Sequence, residues 1–166
     1  MVVAAAVVVA AAVEAPAEAG EFQILMKNFL TAEQEALLVE AIRTQEARTS
    51  AEIRICVTYK FIFRHERFAW RTFDRIGMRN TRERNGALIV MMVRMKKVVI
   101  IGDSGLDAIV PPNYWKKAVA AMVTEMQENG PLPAMLEGLR CLGDTLARHW
   151  PRLEQDANEL PDEILS

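Results

Sequence analysis

The 166-residue chain is 51% hydrophobic and 25% charged, which excludes an intrinsically disordered chain and fits a single globular domain. Its two cysteines exclude a disulfide-rich framework, and its net charge of −2 by itself selects no class of partner. The charges are nonetheless unevenly distributed. Residues 60–97 hold eleven Lys and Arg against three Asp and Glu, whereas residues 124–166 hold nine Asp and Glu against three Lys and Arg. The two blocks can attract each other or different partners.

The first thirteen residues contain only Val and Ala after the initial Met. This run is too short for a transmembrane helix, which needs about 20 apolar residues. It resembles the apolar region of a signal peptide, but no Lys or Arg precedes it. We therefore expect a domain over residues 26–164 and an extension over residues 1–25 that is a tag, a mis-started segment or a signal-like segment. A cytoplasmic location is expected, with export to the periplasm as the alternative if residues 1–25 act as a signal.

The first predicted elements are a helix, a strand and a second helix. A capping-box pattern that begins at Thr31 predicts a helix over residues 31–47. Alternating β-branched residues predict a strand over residues 53–59 with one polar face. Apolar residues at helical spacing predict a helix over residues 66–76, which ends at Gly77.

The second half is predicted to contain a β-hairpin followed by two helices. Continuous apolar runs at residues 86–93 and 98–101 predict buried antiparallel strands. Asn113 is expected to cap a helix that runs to Gly130, and the last helix is predicted over residues 133–149. The architecture that fits this order is a three-layer α/β/α sandwich, in which helices flank a small mixed sheet on both faces.

Several short motifs accompany these elements. They are, in chain order, Phe29-Leu30-Thr31, Thr49-Ser50-Ala51-Glu52, Gly77-Met78-Arg79-Asn80-Thr81, Arg84-Asn85-Gly86-Ala87-Leu88-Ile89, Gly102-Asp103-Ser104-Gly105 and Asn158-Glu159-Leu160-Pro161-Asp162. In this order and spacing they resemble the short bacterial form of the TPM domain family, over roughly residues 29–164. The family is named for thylakoid-lumen, photosystem II repair and receptor-modulating members, and it usually has Gly where Ala51 stands here. The resemblance implies an α/β/α sandwich, divalent cation binding in some members and acid phosphatase activity in plant relatives.

The best candidate for a functional carboxylate is Asp103, which follows a predicted buried strand and lies between Gly102 and Gly105. Ligands of open α/β sheets tend to bind at the carboxyl ends of strands. We therefore expect a Ca²⁺ or Mg²⁺ site formed by Asp103 and Asp107 with nearby backbone carbonyls. The alternative is that Asp103 only accepts hydrogen bonds from its own turn.

Arg84 and Asn85 precede the strand next to the one that ends at Asp103. If the two strands form a hairpin, the three residues share one rim of the sheet, and Gly102 and Gly105 line it. An Arg beside a metal-bound carboxylate suits a phosphate ester. The alternative is that Arg84 only neutralises Asp103.

The remaining acidic residues and the cysteines are expected to have structural roles. Glu52 and Asp74 are predicted on solvent-exposed polar faces. Cys56 and Cys141 are predicted to be small buried hydrophobes. The two histidines lie far apart in the sequence, so neither histidine-based catalysis nor a zinc site is expected.

The segment 64–84 interleaves arginines with Phe68, Trp70 and Phe73. Basic and aromatic residues together are compatible with binding to nucleic acid or to an anionic membrane. Helical spacing favours the alternative, in which the aromatic rings enter the core and the arginines form a solvated face. No nucleic acid partner is therefore expected, and no spanning segment supports membrane association.

Two functions remain open from the sequence. A metal-dependent, phosphatase-like enzyme is favoured by the family resemblance and by the position of Asp103. A non-catalytic module that binds a protein partner, with or without a structural cation, is favoured by the charge asymmetry and by the lack of a catalytic set of residues.

Overall fold

The computed structural model describes residues 6–7, 29–152 and 164–165. The elements are, in chain order, β1 (Ala6–Val7), α1 (Ala32–Glu46), β2 (Ile53–Thr58), α2 (His65–Arg75), β3 (Ala87–Met92), β4 (Lys97–Gly102), α3 (Ser104–Ile109), α4 (Tyr114–Asn129), α5 (Pro131–His149) and β5 (Ile164–Leu165). Most of the predicted extension over residues 1–25 and the motif at residues 158–162 lie outside the described residues.

The strands form one mixed sheet in the order β1-β4-β3-β2-β5. β3 and β4 pair antiparallel, with Ala87 opposite Gly102 and Met92 opposite Lys97, which confirms the predicted hairpin. Lys96 adopts a left-handed conformation with φ of 51° and so takes the place that Gly or Asn usually has in such a turn. β2 pairs parallel with β3, and α2 forms the crossover between them.

Helices cover both faces of the sheet. On one face, α1, α4 and α5 pack against strand residues such as Ile55 and Ile89. On the other face, α2 packs through Phe73 onto the side of the sheet that contains Cys56. The predicted three-layer α/β/α architecture is therefore confirmed. Cys56 is buried as predicted, whereas Cys141 is only half-buried, at the margin of the core and in contact with Glu137.

The residues of β2 are buried on both faces, which corrects the prediction of a polar exposed face. All six residues of Ile53–Thr58 are buried, and so are Glu52 and the α1 residue Glu46. Both carboxylates pair with Arg54: its Nη1 donates to Glu46 Oε1 at 2.6 Å, and its Nη2 donates to Glu52 Oε2 at 3.0 Å. Glu52, expected in solvent, is buried because this ion cluster compensates its charge.

The ends of the helices test the capping and stop residues that were predicted from the sequence. Thr31 accepts a hydrogen bond from Gln34 N while the Gln34 side chain accepts one from Thr31 N, so the predicted capping box is confirmed. Gly77 follows α2 with φ of 77°, as predicted for a helix stop. Asn113 occupies the N-cap position of α4 as predicted, but with φ of 67° its backbone is left-handed and its side chain makes no capping hydrogen bond.

Candidate functional site

The candidate site lies where β3 starts and β4 ends. Because these strands are antiparallel neighbours, the loop before β3 meets the loop after β4 at one edge of the sheet. Asp103 N donates to Gly86 O at 2.9 Å, and Gly105 N donates to Arg84 O at 2.9 Å. The structure therefore brings the loop that contains Arg84 and Asn85 against Asp103, as the sequence predicted.

Asp103 is 0% exposed and begins the short helix α3, which sequence reasoning missed. Its carboxylate accepts two hydrogen bonds from Arg84, from Nε to Oδ2 at 2.6 Å and from Nη2 to Oδ1 at 2.9 Å. A third comes from Ser104 N at 2.7 Å. The hydrogen bond with Asp103 raises the pKa of Arg84 above its usual range. Asp103 thus makes both contacts considered as structural alternatives, with its own turn and with Arg84.

The two predicted glycines allow α3 to lie close to its neighbours. A Cβ on Gly105 would clash with Glu83 O and lie 2.8 Å from Arg84 O, so only glycine lets α3 reach the loop before β3. A Cβ on Gly102 would lie 2.5 Å from the Trp115 ring. Packing therefore accounts for both glycines, and their contact with a ligand stays a prediction.

Two buried polar side chains in the loop before β3 lack hydrogen-bond partners within the described part of the chain. Asn85 is 1% exposed, and neither its Oδ1 nor its Nδ2 is paired. Thr81 is buried too, and its Oγ1 is unpaired. A buried polar group without a partner costs about 1–3 kcal/mol. A bound ion or an ordered water can satisfy such groups, so Thr81 joins Asn85 as a candidate ligand residue.

Arg79 is a second cation at this site that sequence reasoning did not single out. Its Nη1 lies 3.8 Å from Asp103 Oδ1, and its Nε donates to Asp74 Oδ1. Its guanidinium also lies over the Trp70 ring at 5.1 Å and over the Phe73 ring at 5.9 Å. Asp74 is exposed, as predicted. The only advance signal for Arg79 was its place in the motif that follows α2.

Comparisons with known proteins assign the chain to a family. A family model described as the TPM domain matches residues 25–145. The chain belongs to the TPM domain family. The NMR structure of the BA42 protein from the psychrophilic bacterium Bizionia argentinensis has 32% sequence identity with it and a TM-score of 0.77, covering 84% of this chain and 96% of that chain. No curated protein matches the sequence. The predicted resemblance is thus confirmed, and so is the α/β fold.

The second predicted metal ligand of this TPM domain has a different observed partner. Asp107 lies one turn into α3, and its Oδ1 accepts a hydrogen bond from Trp115 Nε1 at 3.1 Å. This contact ties α3 to α4. Metal ligation by Asp107 stays a prediction.

Two features are absent from the part of the TPM domain that the structure describes. It contains no group of three or more His, Cys, Asp or Glu side chains placed to hold a metal ion. Nor does it contain a helix both long enough and apolar enough to cross a membrane.

Proposed function

We propose that this TPM domain is a non-catalytic binding module that takes a divalent cation at Asp103, in exchange for the guanidinium of Arg84. The observation that supports the proposal is the combination of a fully buried carboxylate with two buried, unpaired side-chain oxygens in the adjoining loop, Asn85 Oδ1 and Thr81 Oγ1. Oxygen atoms of this kind are the ligands that Ca²⁺ and Mg²⁺ prefer. Backbone carbonyls and water would complete the coordination.

The exchange is physically reasonable because Asp103 and Arg84 differ in exposure. Asp103 is 0% exposed, whereas 44% of the Arg84 side chain is exposed, so the guanidinium can move into water while the carboxylate stays. The hydrogen bond from Ser104 N to Asp103 Oδ1 comes from the backbone and does not involve Arg84, so the exchange does not require its loss. A cation then replaces the guanidinium as the counter-charge that a buried carboxylate needs.

The site contains one carboxylate for a doubly charged ion, and Arg79 lies nearby. Affinity in calcium sites rises with the number of charged ligands, so weak binding is expected, with a Kd of roughly 10⁻⁴–10⁻³ M. Competition from Arg84 lowers the apparent affinity further.

A phosphatase-like activity is the second candidate function. The observation that favours it is the pair of guanidiniums, from Arg79 and Arg84, beside Asp103, because arginine side chains bind phosphate groups well. The non-catalytic function is preferred because both guanidiniums already pair with carboxylates, Arg84 with Asp103 and Arg79 with Asp74, and a phosphate group would have to displace both pairs.

The test is a titration with CaCl₂ and MgCl₂, followed by the amide shifts of residues 102–107. Arg84→Gln should bind the cation more tightly than the wild type because it removes the competitor. Arg82→Gln, which changes an exposed arginine in the same loop, should bind like the wild type. Asp103→Asn should lose binding, and circular dichroism will show whether it is folded.

Three outcomes would contradict the proposal. Unchanged or weaker binding by Arg84→Gln would show that Arg84 does not compete with the cation. Shifts centred away from residues 102–107 would place the cation elsewhere. Turnover of a generic phosphate ester by the wild type, abolished in a folded Asp103→Asn, would assign the phosphatase-like function instead.

A further inference from the structure

The loop between β2 and α2 exposes two aromatic rings. Phe61 is 60% exposed and Phe63 is 85% exposed, the largest exposure among the large hydrophobic residues that the structure describes. The ring centroids lie 6.1 Å apart, and the ring planes are tilted by 53°. We name residues 61–63, with the sequence Phe-Ile-Phe, the Phe tip. Exposed aromatic rings of this size are costly in water and usually mark a contact surface.

A basic groove lies next to the Phe tip. It has a volume of about 250 Å³, and its lining combines two apolar residues with three arginines, namely Ile62, Phe68, Arg64, Arg67 and Arg71. The three arginines follow helical spacing and therefore lie along one side of α2. All three are exposed to solvent.

The same place is electrostatically positive for two further reasons. The guanidinium of Arg94 lies over the ring of Phe61 at 5.7 Å, which brings a fourth arginine to the Phe tip. The N-terminus of α2 also lies here, and Arg64 at the N-cap makes no side-chain capping bond. The positive end of a helix dipole favours phosphate groups.

We propose that the Phe tip and the basic groove form a docking surface for an anionic lipid membrane. The rings of Phe61 and Phe63 enter the interfacial region of the bilayer, while Arg64, Arg67 and Arg71 bind the phosphates of the lipid headgroups. A peripheral contact of this kind combines buried apolar area with attraction to anionic lipids. It involves a surface other than the Asp103 site, so it does not depend on cation binding there.

Two observations favour lipid over other anionic partners. The rings are tilted against each other by 53°, so a nucleic acid base that stacks on one ring cannot also stack on the other. Both rings also lie outside the residues that line the groove, and both are largely exposed to solvent. An acidic peptide would fill the groove and leave the exposed rings in water, whereas a fluid bilayer surrounds them.

The test measures co-sedimentation of the protein with vesicles at low and high salt. One set of vesicles is pure phosphatidylcholine, and the other is phosphatidylcholine mixed with phosphatidylglycerol. The wild type should bind the anionic vesicles at low salt, release at high salt and bind the neutral vesicles much more weakly.

Paired variants separate the two parts of the surface. The double variant Arg67→Gln/Arg71→Gln should lower the partition coefficient about 25-fold, because each basic residue near an anionic surface contributes roughly fivefold. The double variant Phe61→Ser/Phe63→Ser should lower it by at least roughly tenfold. The controls Lys116→Gln/Lys117→Gln, on α4, and Leu37→Ser, on α1, change exposed residues elsewhere on the surface and should bind like the wild type.

The proposal is overturned if the wild type does not bind anionic vesicles at low salt. It is also overturned if the controls lose as much binding as the variants of the Phe tip and the basic groove. Binding of a single-stranded oligonucleotide or of polyglutamate without vesicle binding would assign the surface to a different class of partner, which again contradicts it.

Discussion

Replacing Arg54 by Met should destabilise the fold by about 3–5 kcal/mol, the usual cost of removing one partner from a buried ion pair. Arg54 is 3% exposed and is the counter-charge of both Glu46 and Glu52, which are buried beside it. Its Nη1 also donates to Ile53 O at 2.7 Å. Met fills a similar volume but leaves the two carboxylates without this cation and the carbonyl without this donor.

The stability lost in Arg54→Met depends on the two buried carboxylates that remain at the site. A domain of this size has a total stability of about 5–15 kcal/mol, so the substitution removes a large part of it. If the loss comes from removing this cation from the two buried carboxylates, neutralising the carboxylates should reverse part of it. The triple variant Glu46→Gln, Glu52→Gln and Arg54→Met should therefore be more stable than Arg54→Met alone. The amide oxygen that Glu46→Gln introduces can still accept the hydrogen bond that Glu46 Oε1 accepts from Ile53 N at 2.8 Å.

The free energies are measured by urea unfolding of the wild type and both variants. Arg148→Met, an exposed change on α5, serves as the control and should stay within about 0.5 kcal/mol of the wild type. A decrease of less than about 1 kcal/mol in the free energy of unfolding for Arg54→Met, with an unchanged m-value, would refute the reasoning. Removing a cation from buried carboxylates should destabilise the fold by more than that. A triple variant no more stable than Arg54→Met would refute the charge argument as well.

Three further predictions concern single sites. Gly105→Ala places a Cβ against Glu83 O and 2.8 Å from Arg84 O. The free energy of unfolding, measured with urea, should therefore fall by about 1–3 kcal/mol. An unchanged free energy would mean that the loop before β3 moves away from the new Cβ without cost. Burial, together with the hydrogen bond to Glu137, raises the pKa of Cys141 to about 11. Glu137→Gln should therefore speed the alkylation of Cys141 at pH 8, as measured by mass spectrometry. Equal alkylation rates in the two proteins would contradict this prediction. Burial lowers the pKa of His65, so the unfolded chain takes up that proton first and the fold loses stability as the pH falls below about 6.5. His65→Asn should reduce this loss in urea titrations at several pH values, and an identical pH dependence in both proteins would count against it.

Much of the fold could be predicted because its signals are local or periodic. The capping box at Thr31 and the glycine at Gly77 act within one helical turn, and both hold in the structure. The apolar runs of β3 and β4 indicated strands covered on two faces, which is what the sheet shows. Antiparallel pairing of those strands was enough to predict that the loop with Arg84 lies next to Asp103, as the structure shows.

The predictions that failed depend on tertiary contacts, which the periodicity of the sequence does not show. Alternation in β2 predicted a polar face, but a period of two cannot show that a helix covers that face and that Glu46 and Glu52 compensate Arg54. Asn113 has the side chain of a helix cap, yet the backbone needs a left-handed turn there, and the turn prevails. The buried, unpaired hydroxyl of Thr81 is visible only once the loop is folded.

The ion pair between Arg84 and Asp103 has two possible roles, and stability measurements distinguish them. It can act as a lock, which means that it only stabilises the fold, or it can be displaced by a cation that binds Asp103. Arg84 adopts φ of 54°, a left-handed conformation that is unfavourable for a residue with a Cβ, so its ion pair compensates a local cost. If the pair is only a lock, Arg84→Gln loses stability and added Ca²⁺ restores none of it. If Asp103 exchanges Arg84 for a cation, Ca²⁺ at ten times its Kd should stabilise Arg84→Gln by about 1.4 kcal/mol. It should stabilise the wild type less, because there the guanidinium competes. If Ca²⁺ stabilises Arg84→Gln by nothing measurable, the exchange is refuted and a purely structural ion pair explains this contact.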